Sequence, residues 1–295
     1  MASRHTIGTI GITAAMHKPE AVRWADRFAQ RLAELGVKVK LAGPLAAHCS
    51  GDYSFGDPAH LAESDLIIVL GGDGTLLAMA RCAGPAGTPL LGLDVGSFGF
   101  LAKHPPQAAL DNLEEVISGD LRIDERLMLQ AAVQDARGNL TVEAAALNDV
   151  VISSSDRRRV VSLRTWVDGE AIATYGADGL IVATPTGSTA YNLSAGGPIV
   201  DPRLSCLILT AICPHTLCIR PLLLAASAEV RVSVPPDGKR PEQLLVTLDG
   251  QDNYAVAPDA VVTITQAPHR ARLVRLTPDS YFTNLVDKLM PGLAD

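Results

Sequence analysis

Aromatic side chains are scarce in this chain. They make up 4% of 295 residues, with two tryptophans, five tyrosines and five phenylalanines. A site built mainly on stacked rings is therefore not expected. Charge is sparse as well: 19% of residues are charged, and 25 Lys plus Arg against 32 Asp plus Glu leave a formal net charge of −7. That balance excludes the basic face of a nonspecific nucleic-acid binder. The five cysteines are an odd number without C-x-x-C spacing, which argues against a disulfide framework or structural zinc and fits a reducing cytoplasm. The first residues lack a charged segment followed by a long apolar run, so no secretory leader is expected. The uncharged window Gly179–Val200 holds two prolines and four glycines and is too polar to favour membrane insertion. No basic amphipathic segment offers membrane docking. Neither G-x-x-x-x-G-K-S/T nor G-x-G-x-x-G occurs, which removes the P-loop and the usual dinucleotide fingerprint.

What remains is a chain rich in small and aliphatic residues. With 47% hydrophobic residues it can bury a sizeable core, and its length suits two domains. The first hundred residues read as α/β. Thr6–Ile12, Val37–Leu41, Leu66–Leu70 and Pro89–Leu93 are strand-like, Glu20–Leu35 has helical apolar spacing, and Thr75–Cys82 continues as a helix. This alternation predicts a parallel sheet with helices on both faces. After His104-Pro105-Pro106, Gln107–Ser118 reads as a connecting helix. Short strands then recur at Met128–Gln134, Leu140–Ala146, Val160–Val167, Leu180–Thr184, Ser205–Ile212, Glu229–Val234, Gln243–Leu248 and Val261–Ile264, with Asp168-Gly169 and Asp237-Gly238 as turns. The fold class expected is an N-terminal α/β domain over 1–103 and a C-terminal all-β, sandwich-like domain over 104–277. An amphipathic helix over 278–295 would pack back on the first domain.

The glycines are ordinary in number, 25, but clustered. Gly71-Gly72-Asp73-Gly74-Thr75 directly follows the apolar run Leu66–Leu70. Glycines after a buried strand let a ligand touch backbone N–H groups, and a helix opening at Thr75 would favour a phosphate at its N-terminus. Asp73 would sit at the ligand end of the sheet, as proton acceptor or metal partner. A second cluster runs through Asp178-Gly179 and Pro185–Pro198, and its small and hydroxyl side chains suit a polyphosphate or ribose wall. Asn148-Asp149 places an amide and an acid inside an apolar stretch, where they satisfy local backbone or face a polar ligand. His215 reads as a turn residue more readily than as a base, and Cys213 and Cys218 as small core residues.

Taken together, Leu70–Leu77 (LGGDGTLL), Gly96–Leu101 (GSFGFL), Ala146–Ile152 (ALNDVVI), Ala177–Pro202, Cys213–Pro221 (CPHTLCIRP) and Leu248–Gln251 (LDGQ) resemble the NAD kinases. The resemblance covers about Ile10 to Leu289. GGDG is shared with lipid-kinase and phosphofructokinase relatives, while TPTGSTAY followed by PHTL-x-x-RP is more particular.

The resemblance implies transfer of a phosphoryl group to the adenosine-ribose 2′-hydroxyl of NAD, on a fold of the NAD kinase/diacylglycerol kinase type with the site between two domains. It implies Asp73 as general base, and Gly71, Gly72, Gly74 and Thr75 as the donor-phosphate loop. The dinucleotide contacts it implies are Gly74, Asn148, Asp149, Asp178, Thr189, Ala190, Tyr191, Asn192, Leu193, Ser194 and Gln251, with Arg159 in a register left open by the Arg157–Arg159 run. Gly176 stands where some relatives carry Arg, and a small residue there goes with use of NADH as well as NAD. Asp94 stands where many relatives have Asn. ATP, or polyphosphate, is the implied donor with a divalent cation, Mg²⁺, whose ligands stay unassigned. Homodimers or homotetramers are expected, without nucleic-acid or membrane partners. A lipid kinase and a noncatalytic NAD(H)- or NADP(H)-sensing module are the rival readings.

Overall fold

The computed structural model describes residues 6–96, 99–155, 160–216, 218–234, 243–257, 259–276 and 281–289. By internal contacts the chain divides into two units, residues 1–125 with 271–295, and residues 126–270.

The first unit is built from β1 (Thr9–Ala14), α1 (Pro19–Glu34), β2 (Lys38–Ala42), β3 (Ser54–Gly56), α2 (Pro58–Ala62), β4 (Leu66–Gly71), α3 (Asp73–Ala86), β5 (Leu90–Asp94), α4 (Pro106–Asp111) and α5 (Leu113–Ile117). Its strands lie in the order β5-β4-β1-β2-β3, all parallel. β4 and β5 are buried along their whole length, as befits central strands covered on both faces. On one face, Ala21, Ala25, Phe28, Ala29 and Leu32 of α1 pack on Ile10, Ile12, Leu41, Ile68 and Leu70. Full burial of each large side chain is worth about 1.5–3 kcal/mol. On the other face α3 approaches so closely that a side chain on Gly92 would meet Leu76 Cδ1 at 2.5 Å. The connecting segment expected as one helix is two, because Asn112 (φ −105°, ψ 19°) leaves helical geometry. Its Nδ2 bonds back to the Ala108 carbonyl at 2.8 Å, the local competition that makes Asn a helix interrupter.

The second unit takes in most of β6 (Arg122–Gln134), then β7 (Leu140–Ala146), β8 (Asp149–Ser154), β9 (Val161–Val167), β10 (Glu170–Ala177), β11 (Gly179–Ala183), the one-turn α6 (Tyr191–Ser194), β12 (Cys206–Ile212), β13 (Leu222–Ala225), β14 (Val230–Ser233), β15 (Leu244–Leu248), β16 (Asp252–Val256) and the first residues of β17 (Val261–Arg275). One sheet is antiparallel throughout, in the order β13-β12-β11-β8-β15-β16. The other runs β10-β9-β14-β17, with β6 on β17 and β7 on β6. Val150, Ile152, Leu180, Val182, Leu244 and Val246 from the first meet Val161, Leu163, Tyr175, Val230, Val232 and Val262 from the second in one core. This is the sandwich expected from the sequence. Asp168 and Gly169 both have positive φ, 51° and 83°, the conformation that a tight hairpin between β9 and β10 demands. Asp237-Gly238 lies outside the described residues. The chain's last described helix, α7 (Tyr281–Leu289), belongs to the first unit. Among the described residues no helix is long and apolar enough to cross a membrane.

Candidate functional site

In the first unit, β4 ends at Gly71, Gly72 is the N-cap, and α3 starts at Asp73 itself, two residues before the expected Thr75. Gly71 is required here: a Cβ would sit 2.6 Å from Thr75 Oγ1 and 3.1 Å from Ala15 Cβ. The Asp73 carboxylate accepts three backbone N–H groups, from Phe100 to Oδ2 at 2.7 Å and from Leu101 and Ala102 to Oδ1 at 2.9 and 3.0 Å. Hydrogen bonds to a charged group contribute about 1.5–3 kcal/mol each, so the acid is rigidly oriented. A carboxylate has about four acceptor positions, and three amides leave one open, on Oδ2. Gly74 is exposed at the helix N-terminus and Thr75 is half-buried.

The same ends of the parallel strands gather charges that sequence reasoning did not bring together. Lys18, between β1 and α1, donates Nζ–H to the Val95 carbonyl at 2.8 Å. Its ammonium lies 3.3 Å from where a Cβ on Gly96 would stand and 3.8 Å from one on Gly72. Asp94, the last residue of β5, is buried, and its Oδ1 has no hydrogen-bond partner. Burial raises its pKa; Lys18 opposes that rise and Asp73 reinforces it. Lys288 of α7 lies 4.4 Å from the Phe100 ring centroid. Burial lowers its pKa, and both Asp73 and Asp94 pull it back up.

Among the described residues no three His, Cys, Asp or Glu side chains converge as a ligand set. The buried, orphaned Asp94 Oδ1 is an acceptor that the water shell of a Mg²⁺ ion would fit, since Mg²⁺ keeps several waters and takes one or two protein carboxylates.

The second unit holds a cavity of about 590 Å³, lined by Asn148, Asp149, Asp178, Ala190, Tyr191 and Asp249 among others. That volume suits a small-molecule ligand. Strand alternation builds its floor. Asp149, Val151 and Ser153 of β8 and Leu245 and Thr247 of β15 face the cavity, while Val150, Ile152, Leu244 and Val246 face the core.

Asn148 and Asp149 are held by a residue about a hundred positions away. The Asp249 carboxylate accepts the N–H groups of Leu147 (3.1 Å), Asn148 (2.7 Å) and Asp149 (3.3 Å), and Asp249 N–H donates to the Asp149 carbonyl at 3.0 Å. Asp149 is 3% exposed. Desolvation, then the neighbouring Asp249, raises its pKa to about 7. Asp249 was not singled out from the sequence. Its φ of 52° beside Gly250 at 68° marks the D-G turn that could have flagged it.

The hydroxyl-rich stretch is pinned, not loose. Asn192 is fully buried. Its Nδ2 donates to the Ser188 and Pro198 carbonyls, and its Oδ1 accepts from Thr210 Oγ1 at 2.7 Å. Ser188 Oγ donates to the Pro185 carbonyl and accepts Val200 N–H. Side chains on Gly187 or Gly197 would overlap the Asn148 backbone or the Asn192 amide. Thr189 and Leu193 are half-buried and Ser194 is exposed beside this loop, Gln251 is exposed after the Asp249-Gly250 turn, and Arg159 lies outside the described residues. Gly176 is half-buried on β10, and its carbonyl accepts His215 N–H at 2.9 Å. Cys213 and Cys218 are exposed, not core. They lie beyond the end of β12, where Cys213 turns the chain at φ 45°.

The family model described as the ATP-NAD kinase N-terminal domain matches residues 10–121, and the ATP-NAD kinase C-terminal domain matches residues 147–276. The NAD kinase of Geotalea daltonii is 39% identical over 284 residues, 96% of this chain and 98% of that protein. That of Symbiobacterium thermophilum is 42% identical over 275 residues, 92% and 95% of the two. Among solved structures, yeast NADH kinase complexed with NADH superposes with a TM-score of 0.89 at 24% identity, covering 99% of this chain and 89% of that one. An NAD kinase from Archaeoglobus fulgidus in complex with ATP gives 0.74 at 25% identity, covering 95% and 98%.

Proposed function

This chain belongs to the NAD kinase family, and we propose that Asp73 is the base through which it converts NAD to NADP. The enzyme phosphorylates NAD with ATP as co-substrate. In the reaction, the 2′-oxygen of the adenosine ribose forms a bond to the γ-phosphorus as the bond from that phosphorus to the β,γ-bridging oxygen breaks. The leaving ADP keeps the electron pair, and the 2′-hydroxyl proton passes to Asp73. The observation that carries the reading is the open acceptor position on Asp73 Oδ2, on a carboxylate otherwise fixed by three amides. A base held this way needs no reorientation as the proton moves.

Gly71, Gly72, Gly74 and Thr75 present backbone at the start of α3, where a helix N-terminus favours the donor's phosphates. Mg²⁺ would be held by those phosphates, with Asp94 accepting from its water shell, and would neutralise phosphate charge. Asn148 and Asp149 would take the ribose hydroxyls. Asp178, Ala190 and Tyr191 would take neighbouring parts of the dinucleotide, with Thr189, Asn192, Leu193 and Ser194 forming or bracing that wall, and Arg159 and Gln251 adding contacts. The exposed Leu222 and Leu223 on the edge strand β13 favour self-association, which light scattering would read.

The test is Asp73→Asn in a coupled assay of NADP formation. Turnover should fall by orders of magnitude while NAD still binds, with a lower melting temperature because the amide NH₂ cannot accept the N–H bonds that one carboxylate oxygen takes. Near-wild-type turnover would remove Asp73 as the base. The same assay with polyphosphate in place of ATP reads donor choice.

A further inference from the structure

At the ends of β4 and β5 in the first unit, two carboxylates, Asp73 and Asp94, stand where the reading above puts a polyanion. A triphosphate brought against two acids needs fixed positive charge close by. Two lysines, Lys18 and Lys288, supply it among the described residues. Lys288 is already committed to the Phe100 ring at 4.4 Å. Lys18 differs in where its head group is held. It leaves the chain just before Pro19 opens α1, and its ammonium is drawn over both glycine turns, 3.8 Å from a Cβ position on Gly72 and 3.3 Å from one on Gly96.

The Val95 carbonyl takes one of its three N–H donors at 2.8 Å. That bond aims the ammonium and leaves two donors for a ligand. Lys18 is half-buried, so the aimed ammonium remains reachable. A separate observation says the spot awaits a polar occupant. Asp94 is 8% exposed, yet its Oδ1 has no hydrogen-bond partner, an arrangement that is costly unless a ligand completes it.

We propose that Lys18 is the residue that receives the terminal phosphates of the donor. The inference rests on the reading that the donor's phosphates lie at the Gly71–Thr75 turn. Lys18 supplies a point charge across from the α3 N-terminus, so the transferring group is held between an ammonium and the helix's backbone N–H groups. The Asp94 carboxylate lies close enough to attract the Lys18 ammonium. The chain therefore has a basic element in its donor site although no sequence motif shows one.

The experiment measures binding of Mg–ATP and of NAD, separately, to the full chain and to Lys18→Met, which keeps the aliphatic stem and removes the charge. Mg–ATP affinity should fall about tenfold or more, the loss expected for one charge-assisted phosphate contact, with NAD affinity unchanged. The KM for ATP should rise by a similar factor, the KM for NAD should stay, and Lys18→Arg should recover most of the loss. Magnesium tripolyphosphate, which has no adenosine, should show the same ranking of wild type, Arg and Met. Mg–ATP affinity within about twofold of wild type in Lys18→Met overturns the proposal, as does a parallel loss of NAD affinity. The underlying reading fails differently: if the donor's phosphates lie elsewhere, Gly74→Asp at the exposed start of α3 also leaves Mg–ATP affinity unchanged, so the two failures are distinguishable.

Discussion

Gly99 lies so close to Asp73 that a Cβ at that position would overlap the carboxylate. The glycine is therefore part of how the acid is held. It lets the next three backbone N–H groups close on both oxygens. Gly99→Ala should push the carboxylate off this seat and cut kcat by about tenfold to a hundredfold, with NAD affinity little changed. Steady-state kinetics beside NAD titration checks it. Unaltered kcat would show that the amide seat is dispensable.

With Asp149 taking a ribose hydroxyl as proposed, dinucleotide binding should depend on pH. The Asp149 pKa is raised to about 7 in the folded chain from an unfolded value near 3.9, by burial first and then by Asp249. Between those values the native state holds a proton that the unfolded state releases, so this group's contribution to stability declines as pH rises through that window. A ribose hydroxyl donating to Asp149 favours its anion. NAD should therefore bind more tightly at about pH 8 than at about pH 6, with proton release. Calorimetry in buffers of different ionisation enthalpy reads that release, and Asp149→Asn should abolish it. A pH dependence that survives Asp149→Asn would take the proton off Asp149.

Redox-form choice is tested at Gly176. A Cβ there meets only Val160 Cγ1, at 4.0 Å, so local packing does not require glycine. Gly176→Arg should fold normally, and its cation two residues from Asp178 should change discrimination between the two nicotinamide rings. The expected outcome is a shift of about tenfold in the ratio of NADPH formation from NADH to NADP formation from NAD, because a nearby charge distinguishes the cationic ring of NAD from the neutral ring of NADH. Matched kcat/KM values measure it, and an unchanged ratio would detach Gly176 from this choice.

The parts legible in the sequence were those with local causes. Leu66–Leu70 announces a buried strand, Gly71-Gly72-Asp73 announces a ligand turn, and the strand spacing after His104 announces a sandwich. The parts that escaped depend on distant partners or on short edges. β3 and β13 are too brief to show a period. Lys18 looks like one more surface lysine until β5 returns Val95 beneath it, and Asp249 looks like a turn residue until β15 pairs with β8. Asn192 reads from the sequence as a dinucleotide contact. Thr210, Ser188 and Pro198 make it a brace, a role that depends on contacts up to 18 residues away.

One strand has a consequence for how the protein is made. β17 ends inside the first unit, where Leu273 pairs with Leu90. During synthesis β5 leaves the ribosome long before its neighbour exists, and the whole second unit is translated in between. His104 already pairs beside Leu93, but the first unit must wait with the Leu90 end of this buried strand unpaired on that side, a non-local closure of the kind that slows folding and invites aggregation. A chaperone reaching the nascent chain would find that flank between the appearance of Leu90 and that of Leu273.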